Sequence, residues 1–150
     1  MDVVDKTVRE LDLPDASRAY ARETITLGWE DRVQGHGRRQ SDGGVEFALA
    51  LPRGSVLRAG DCFVLDEART VVTVVERPEP VFVIEPRSAQ EWALYAYHIG
   101  NRHQPVMITN HALVCPDVPG VEQLLHQQHI PHGRQMLPFT PATATGGHSH

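Results

Sequence analysis

The segment Tyr97-His98-Ile99-Gly100-Asn101-Arg102-His103-Gln104-Pro105 carries two imidazoles, and the chain ends Gly146-Gly147-His148-Ser149-His150 with two more. Neutral imidazole nitrogen suits nickel, copper and zinc, whereas Mg²⁺ and Ca²⁺ want clusters of oxygen. Nine histidines against two cysteines therefore point to nitrogen ligation of a borderline metal. A lone His103 cannot close a metal site. Two copies can meet across a two-fold axis, because an isologous interface puts the same residue on both sides. Such a site holds its ion by few ligands and leaves positions open, as handing the ion on requires. Histidine ligands bind when deprotonated, so binding should weaken as pH falls through about 6.5.

Each residue also has a plainer reading. His103 can be a helix-terminal histidine satisfied by a backbone carbonyl, and His98 a cation favoured by the helix dipole. His148 and His150 fit either the remnant of an expression tag or a short metal-gathering tail. His126 and His129, three apart on one helix, could both reach one ion. His129 also extends an apolar stripe, which favours partial burial. His111 and His132 read as solvated loop residues. Cys62 and Cys115 are too few for a disulfide framework and read as small buried apolar residues, with Cys115 a potential soft ligand.

The motifs of compact enzymes are missing: there is no His-Glu-x-x-His helix, Cys-x-x-Cys pair or nucleophile elbow. Gly35-His36-Gly37-Arg38-Arg39 is locally basic and reads as a loop, either simply solvated or a surface for an acidic segment beside an exposed strand. It lacks the lysine of a phosphate-binding loop. A formal charge of −5 argues against a nucleic-acid binder, which needs a basic face. No apolar run approaches the roughly 20 residues of a membrane helix. The acidic start lacks the plan of a signal peptide, and a reducing cytoplasm is expected.

The elements that must position these histidines fall in two halves. The first reads as β structure: Thr24-Ile25-Thr26-Leu27, residues 45–51 with Val45, Phe47, Leu49 and Leu51 on one side, Cys62-Phe63-Val64-Leu65, and residues 70–75. Glu76-Arg77-Pro78-Glu79-Pro80 cannot continue a central strand and marks a boundary. Beyond it, strand 81–84 leads to a helix with Ser88 as N-cap and Glu91 completing a capping box. Trp92, Tyr95, Ala96 and Ile99 recur at helical spacing until Gly100 ends the helix. Strands at 105–109 and 112–115 follow, then a helix capped by Asp117 with Val121, Leu124 and Leu125 inward, and a strand at 134–139. The expectation is an α+β chain: a small all-β domain at 1–76, a ferredoxin-like β-α-β-β-α-β domain at 80–139, and a disordered tail at 140–150.

Gly100-Asn101-Arg102-His103 with Pro105, the preceding Tyr97-His98, the segment Leu51-Pro52-Arg53-Gly54-Ser55-Val56-Leu57-Arg58-Ala59-Gly60-Asp61, and Leu137-Pro138-Phe139 before a histidine-bearing tail together resemble the UreE family of urease accessory proteins. The resemblance runs from about Arg38 to the end. It implies a cytoplasmic, homodimeric metallochaperone that carries Ni(II) as cargo, with Zn(II) or Cu(II) able to substitute. It implies an N-terminal domain of peptide- or partner-binding type and a C-terminal domain that dimerises. His103 would meet its twin at the interface, supplemented by His148 and His150, with His98 as a further candidate ligand. The partners implied are the urease accessory GTPase and apo-urease. Relatives with long histidine-rich tails differ from this chain, which has only His148 and His150 there. Some also carry histidines where this chain has Cys115-Pro116-Asp117, which removes that expectation of a second site. From the residues alone, a small metal-dependent enzyme using His98 and His103, a generic divalent-metal binder and a plain interaction module stay open.

Overall fold

Period-2 burial builds the first half of the chain. In the computed structural model, which describes residues 1–142, the strands there are β1 (Val3–Val4), β2 (Ala21–Leu27), β3 (His36–Gln40), β4 (Glu46–Ala50), β5 (Cys62–Leu65) and β6 (Thr70–Glu76). A one-turn helix α1 (Trp29–Arg32) lies between β2 and β3. Two three-stranded sheets result, ordered β1-β4-β3 and β2-β6-β5. Phe47 and Leu49 of β4 turn inward with Leu51 beyond them, as the alternation predicts. Phe47 packs on Phe63 of the other sheet with ring centroids 5.5 Å apart, and Ile25, Leu27, Leu57, Val72 and Val74 complete the core. β6 is central in its sheet and buries Val71 on its other face against Leu13 and Cys62.

The basic segment at 35–39 is a strand, contrary to expectation. His36 pairs with Ala50 and Gln40 with Glu46 across an antiparallel ladder, which makes β3 a sheet edge. It carries no apolar alternation because most of its residues face solvent. Pairing to β4 defines it.

The chain divides into two units, Met1–Arg77 and Pro78–His150. The second holds β7 (Glu79–Ile84), α2 (Ala89–Asn101), β8 (Met107–Ile108), β9 (Leu113–Pro116), α3 (Val121–Gln127) and β10 (Gly133–Leu137), in the order β-α-β-β-α-β. Its sheet runs β10-β7-β9-β8 with every neighbouring pair antiparallel. The core gathers Phe82, Ile84, Ile99, Leu113, Cys115, Val121, Leu124, Leu125 and Ile130. The fold is mixed α+β.

Three local expectations change. β7 begins at Glu79 and includes Pro80, which stands opposite Asp117 just past the end of β9: its carbonyl accepts the Asp117 amide at 3.0 Å, and only the return bond that its missing N–H would make is lost. Asp117 does not cap α3. Gly120 does, at φ 92°, because Val118 and Pro119 make a turn first; the Asp117 carboxylate instead receives Arg134 at 3.0 Å. The segment after β10 is held further than expected: Phe139 and Thr140 are buried, and the Ala142 amide donates to the Val106 carbonyl at 2.7 Å. The remaining residues of the expected tail lie outside the described part.

Candidate metal centre

Helix α2 fixes the position of His103. Its start is the expected cap, with the Ser88 Oγ accepting the Glu91 amide at 3.1 Å. The Glu91 carboxylate accepts from the Arg87 amide at 2.9 Å, one residue beyond the Ser88 amide that a strict capping box would use. Trp92, Tyr95, Ala96 and Ile99 pack against the core, with Ile99 fully buried.

The helix end differs from the reading that placed a stop at Gly100. Gly100 lies inside α2, which runs to Asn101 with Arg102 as C-cap. His103 itself takes the left-handed conformation, at φ 54°. Its amide donates to the Gly100 carbonyl at 3.0 Å, and the Gln104 amide to the Ile99 carbonyl at 3.2 Å. These two bonds and the left-handed residue make a Schellman motif, whose left-handed position is usually glycine. The backbone of His103 is thus tied to the last turn of a packed helix while its side chain is exposed.

His98 sits in the last full turn of α2, half-buried, its ring edge-on to Tyr97 with centroids 5.6 Å apart. Among the described residues no three histidine, cysteine or acidic side chains converge as a metal cage. Within the described part of a single chain, His98 and His103 are therefore not brought together with a third ligand. His148 and His150 lie outside the described residues.

The remaining candidates separate cleanly. Cys115 is fully buried, and desolvation pushes its thiol up to about 12, which disfavours the thiolate that a soft metal takes. Cys62 is buried, with its sulfur 3.5 Å from the Thr73 hydroxyl. His111 stands exposed at the β8–β9 turn.

α3 repeats the motif that ends α2. His129 is left-handed at φ 54°, its amide bonded to the His126 carbonyl at 3.2 Å and the Ile130 amide to the Leu125 carbonyl at 2.9 Å. The turn throws His129 outward into solvent, correcting its expected partial burial. It also returns the chain so that His132, half-buried rather than solvated, lies against His126 with ring centroids 5.4 Å apart. Sequence reasoning paired His126 with His129 because it assumed that the helix continued. The signal for the true pairing was Ile130-Pro131, which cannot prolong a helix.

Two family models together match almost the whole chain. Residues 4–76 match the family described as UreE urease accessory protein, N-terminal domain, and residues 79–150 match its C-terminal domain. The urease accessory protein UreE of Paraburkholderia xenovorans is 36% identical over 129 residues, covering 85% of this chain and 57% of that protein. Its namesake in Burkholderia vietnamiensis is 32% identical over 152 residues, covering all of this chain and 76% of the relative. That of Ralstonia nicotianae is 36% identical over 150 residues, covering 99% of this chain and 64% of the relative.

Proposed function

This chain belongs to the UreE family of urease accessory proteins, with a role in urease maturation and no enzymatic turnover, and on that premise we propose that it is a homodimeric nickel carrier. Ni²⁺ is its cargo, held between the His103 imidazoles of two copies and released to a complex of the urease accessory GTPase and apo-urease. Zn²⁺ and Cu²⁺ compete for the same nitrogens, since affinity in this series peaks at copper and selectivity rests with partners and supply.

The observation that carries the reading is the exposed His103 ring at a backbone position suited to glycine. A non-glycine residue there costs about 1 kcal/mol, as it does at His129. Two further features support it. Leu94 and Tyr97 are 47% and 63% exposed on α2, three apart and leading toward His103, as an apolar contact between copies would need. Ala142 is bonded to Val106, close in sequence to His103. From that anchor the six residues to His148 span up to about 20 Å when extended. His148 and His150 can therefore join the shared ion, and His98 stands as a further ligand from α2.

The first unit serves in this reading to hold a partner, with β3 offering an edge strand and the exposed Arg38 to an acidic extended segment. Urease activation tests the whole. With apo-urease and the accessory GTPase at limiting Ni²⁺, the native chain should raise urease activity and His103→Ala should not. Equal activation by His103→Ala would remove the interfacial site from the mechanism.

A further inference from the structure

We propose that His126 and His132 form a second cation site, one per chain, for a late first-row divalent metal such as Cu²⁺ or Ni²⁺. Their ring centroids are 5.4 Å apart. With ring nitrogens roughly 2.0–2.1 Å from an ion and each ring centre about 1 Å farther, two imidazoles bound at about 90–120° to one another have centroids roughly 4.5–5.5 Å apart, a range that includes the observed spacing. The spacing is set by rigid parts: His126 lies in the last turn of α3, and the left-handed His129, the buried Ile130 and Pro131 lead directly to His132.

The tautomer of His132 favours ligation. Its Nδ1 lies 2.8 Å from the Ile130 carbonyl oxygen. A carbonyl can only accept, so Nδ1 carries a proton, and in the neutral ring the lone pair is then on Nε2. A backbone carbonyl behind the imidazole is also the usual support of a metal-bound histidine. The ring is further steadied edge-on against Phe82, with centroids 5.4 Å apart.

Charge near the pair suits a cation. Arg134 lies 4.7 Å over the Phe82 ring, but it is matched by both Asp117 at 3.0 Å and Glu122 at 2.8 Å. Two carboxylates against one guanidinium leave the surroundings net negative, and Glu122 stands one turn before His126 on α3. His126 is exposed and His132 half-buried, so water can complete the coordination of an ion and the ion can leave.

The test uses the full-length chain carrying His103→Ala, His148→Ala and His150→Ala, titrated calorimetrically with CuCl₂ and NiCl₂. The expected result is one ion per chain, copper tighter than nickel, with a Cu²⁺ paramagnetic resonance spectrum showing two nitrogen ligands. Adding His126→Ala or His132→Gln should weaken binding by at least about tenfold, whereas adding His129→Ala should leave it unchanged. His126 is exposed, so its replacement does not threaten the fold. No binding in the triple variant, or an equal loss on His129→Ala, would overturn the proposal. Either result would leave the His103 reading untouched, since that ligand is absent from every protein compared.

Discussion

His103 and His129 occupy the same place in two copies of one motif: each is the left-handed residue, at φ 54°, that ends a helix of the second unit. In each case its amide bonds three residues back and the next amide five residues back. The helix stop depends on that backbone conformation, and glycine adopts it without strain.

His103→Gly should therefore separate fold from function. Stability should stay level or rise by up to about 1 kcal/mol, while the tight nickel site disappears. His129→Gly should move stability in the same direction and leave that site intact. Urea unfolding paired with nickel titration reads both. A destabilisation of His103→Gly well beyond about 1 kcal/mol would mean that the imidazole serves the fold.

Ser88→Ala should cost about 1 kcal/mol by freeing the Glu91 amide at the start of α2. Nickel stoichiometry should not change, because the far end of the helix is held separately by Ile99 and the closing hydrogen bonds. Chemical denaturation monitored by far-ultraviolet circular dichroism measures the loss.

Acid should weaken the first unit through Glu76. Burial alone would raise its carboxyl; the Ala59 amide at 2.8 Å, the Arg58 guanidinium at 3.1 Å and the nearby Arg32 charge outweigh that and hold it below its ordinary 4.5. A carboxyl held below its unfolded value stabilises the fold above that value and loses the contribution as pH falls through its folded one. The native chain should thus outlast Glu76→Gln above pH 4.5 and converge with it below. Urea midpoints across roughly pH 6 to 3 check the sign, and a constant gap would refute the assignment.

Truncation should have two distinct effects. Ending the chain after Ala142 removes His148 and His150 and should weaken nickel binding without loss of fold. Ending it after Phe139 also removes Thr140, only 3% exposed, and the Ala142–Val106 bond, and should cost roughly 1–2 kcal/mol more. Thermal unfolding of the two chains distinguishes them.

Much of this was legible in the sequence where burial imposes a period. Phe47, Leu49 and Leu51 announced β4, and Ser88 with Trp92, Tyr95 and Ile99 announced α2, because each pattern reports which face meets the core. β3 was hidden for the opposite reason: with most of its residues in solvent it has no period to display. The end of α2 was misplaced because Gly100 looked like the left-handed residue, whereas the chain takes that conformation at His103. The same kind of turn at His129 concealed the approach of His132 to His126, a contact that depends on where the chain reverses. Convergence of His103 with a second copy would be a property of an assembly, and no spacing within one chain encodes it.

The central claim is that one tightly held nickel ion is shared by two His103 side chains. Calorimetric titration of the native chain with NiCl₂, with the mass of the titrated species measured by light scattering, tests it most directly. The account predicts a dimer whose first and tightest step saturates at one ion per two chains and vanishes in His103→Ala. A tight step at one ion per chain, or one that survives in His103→Ala, would contradict it.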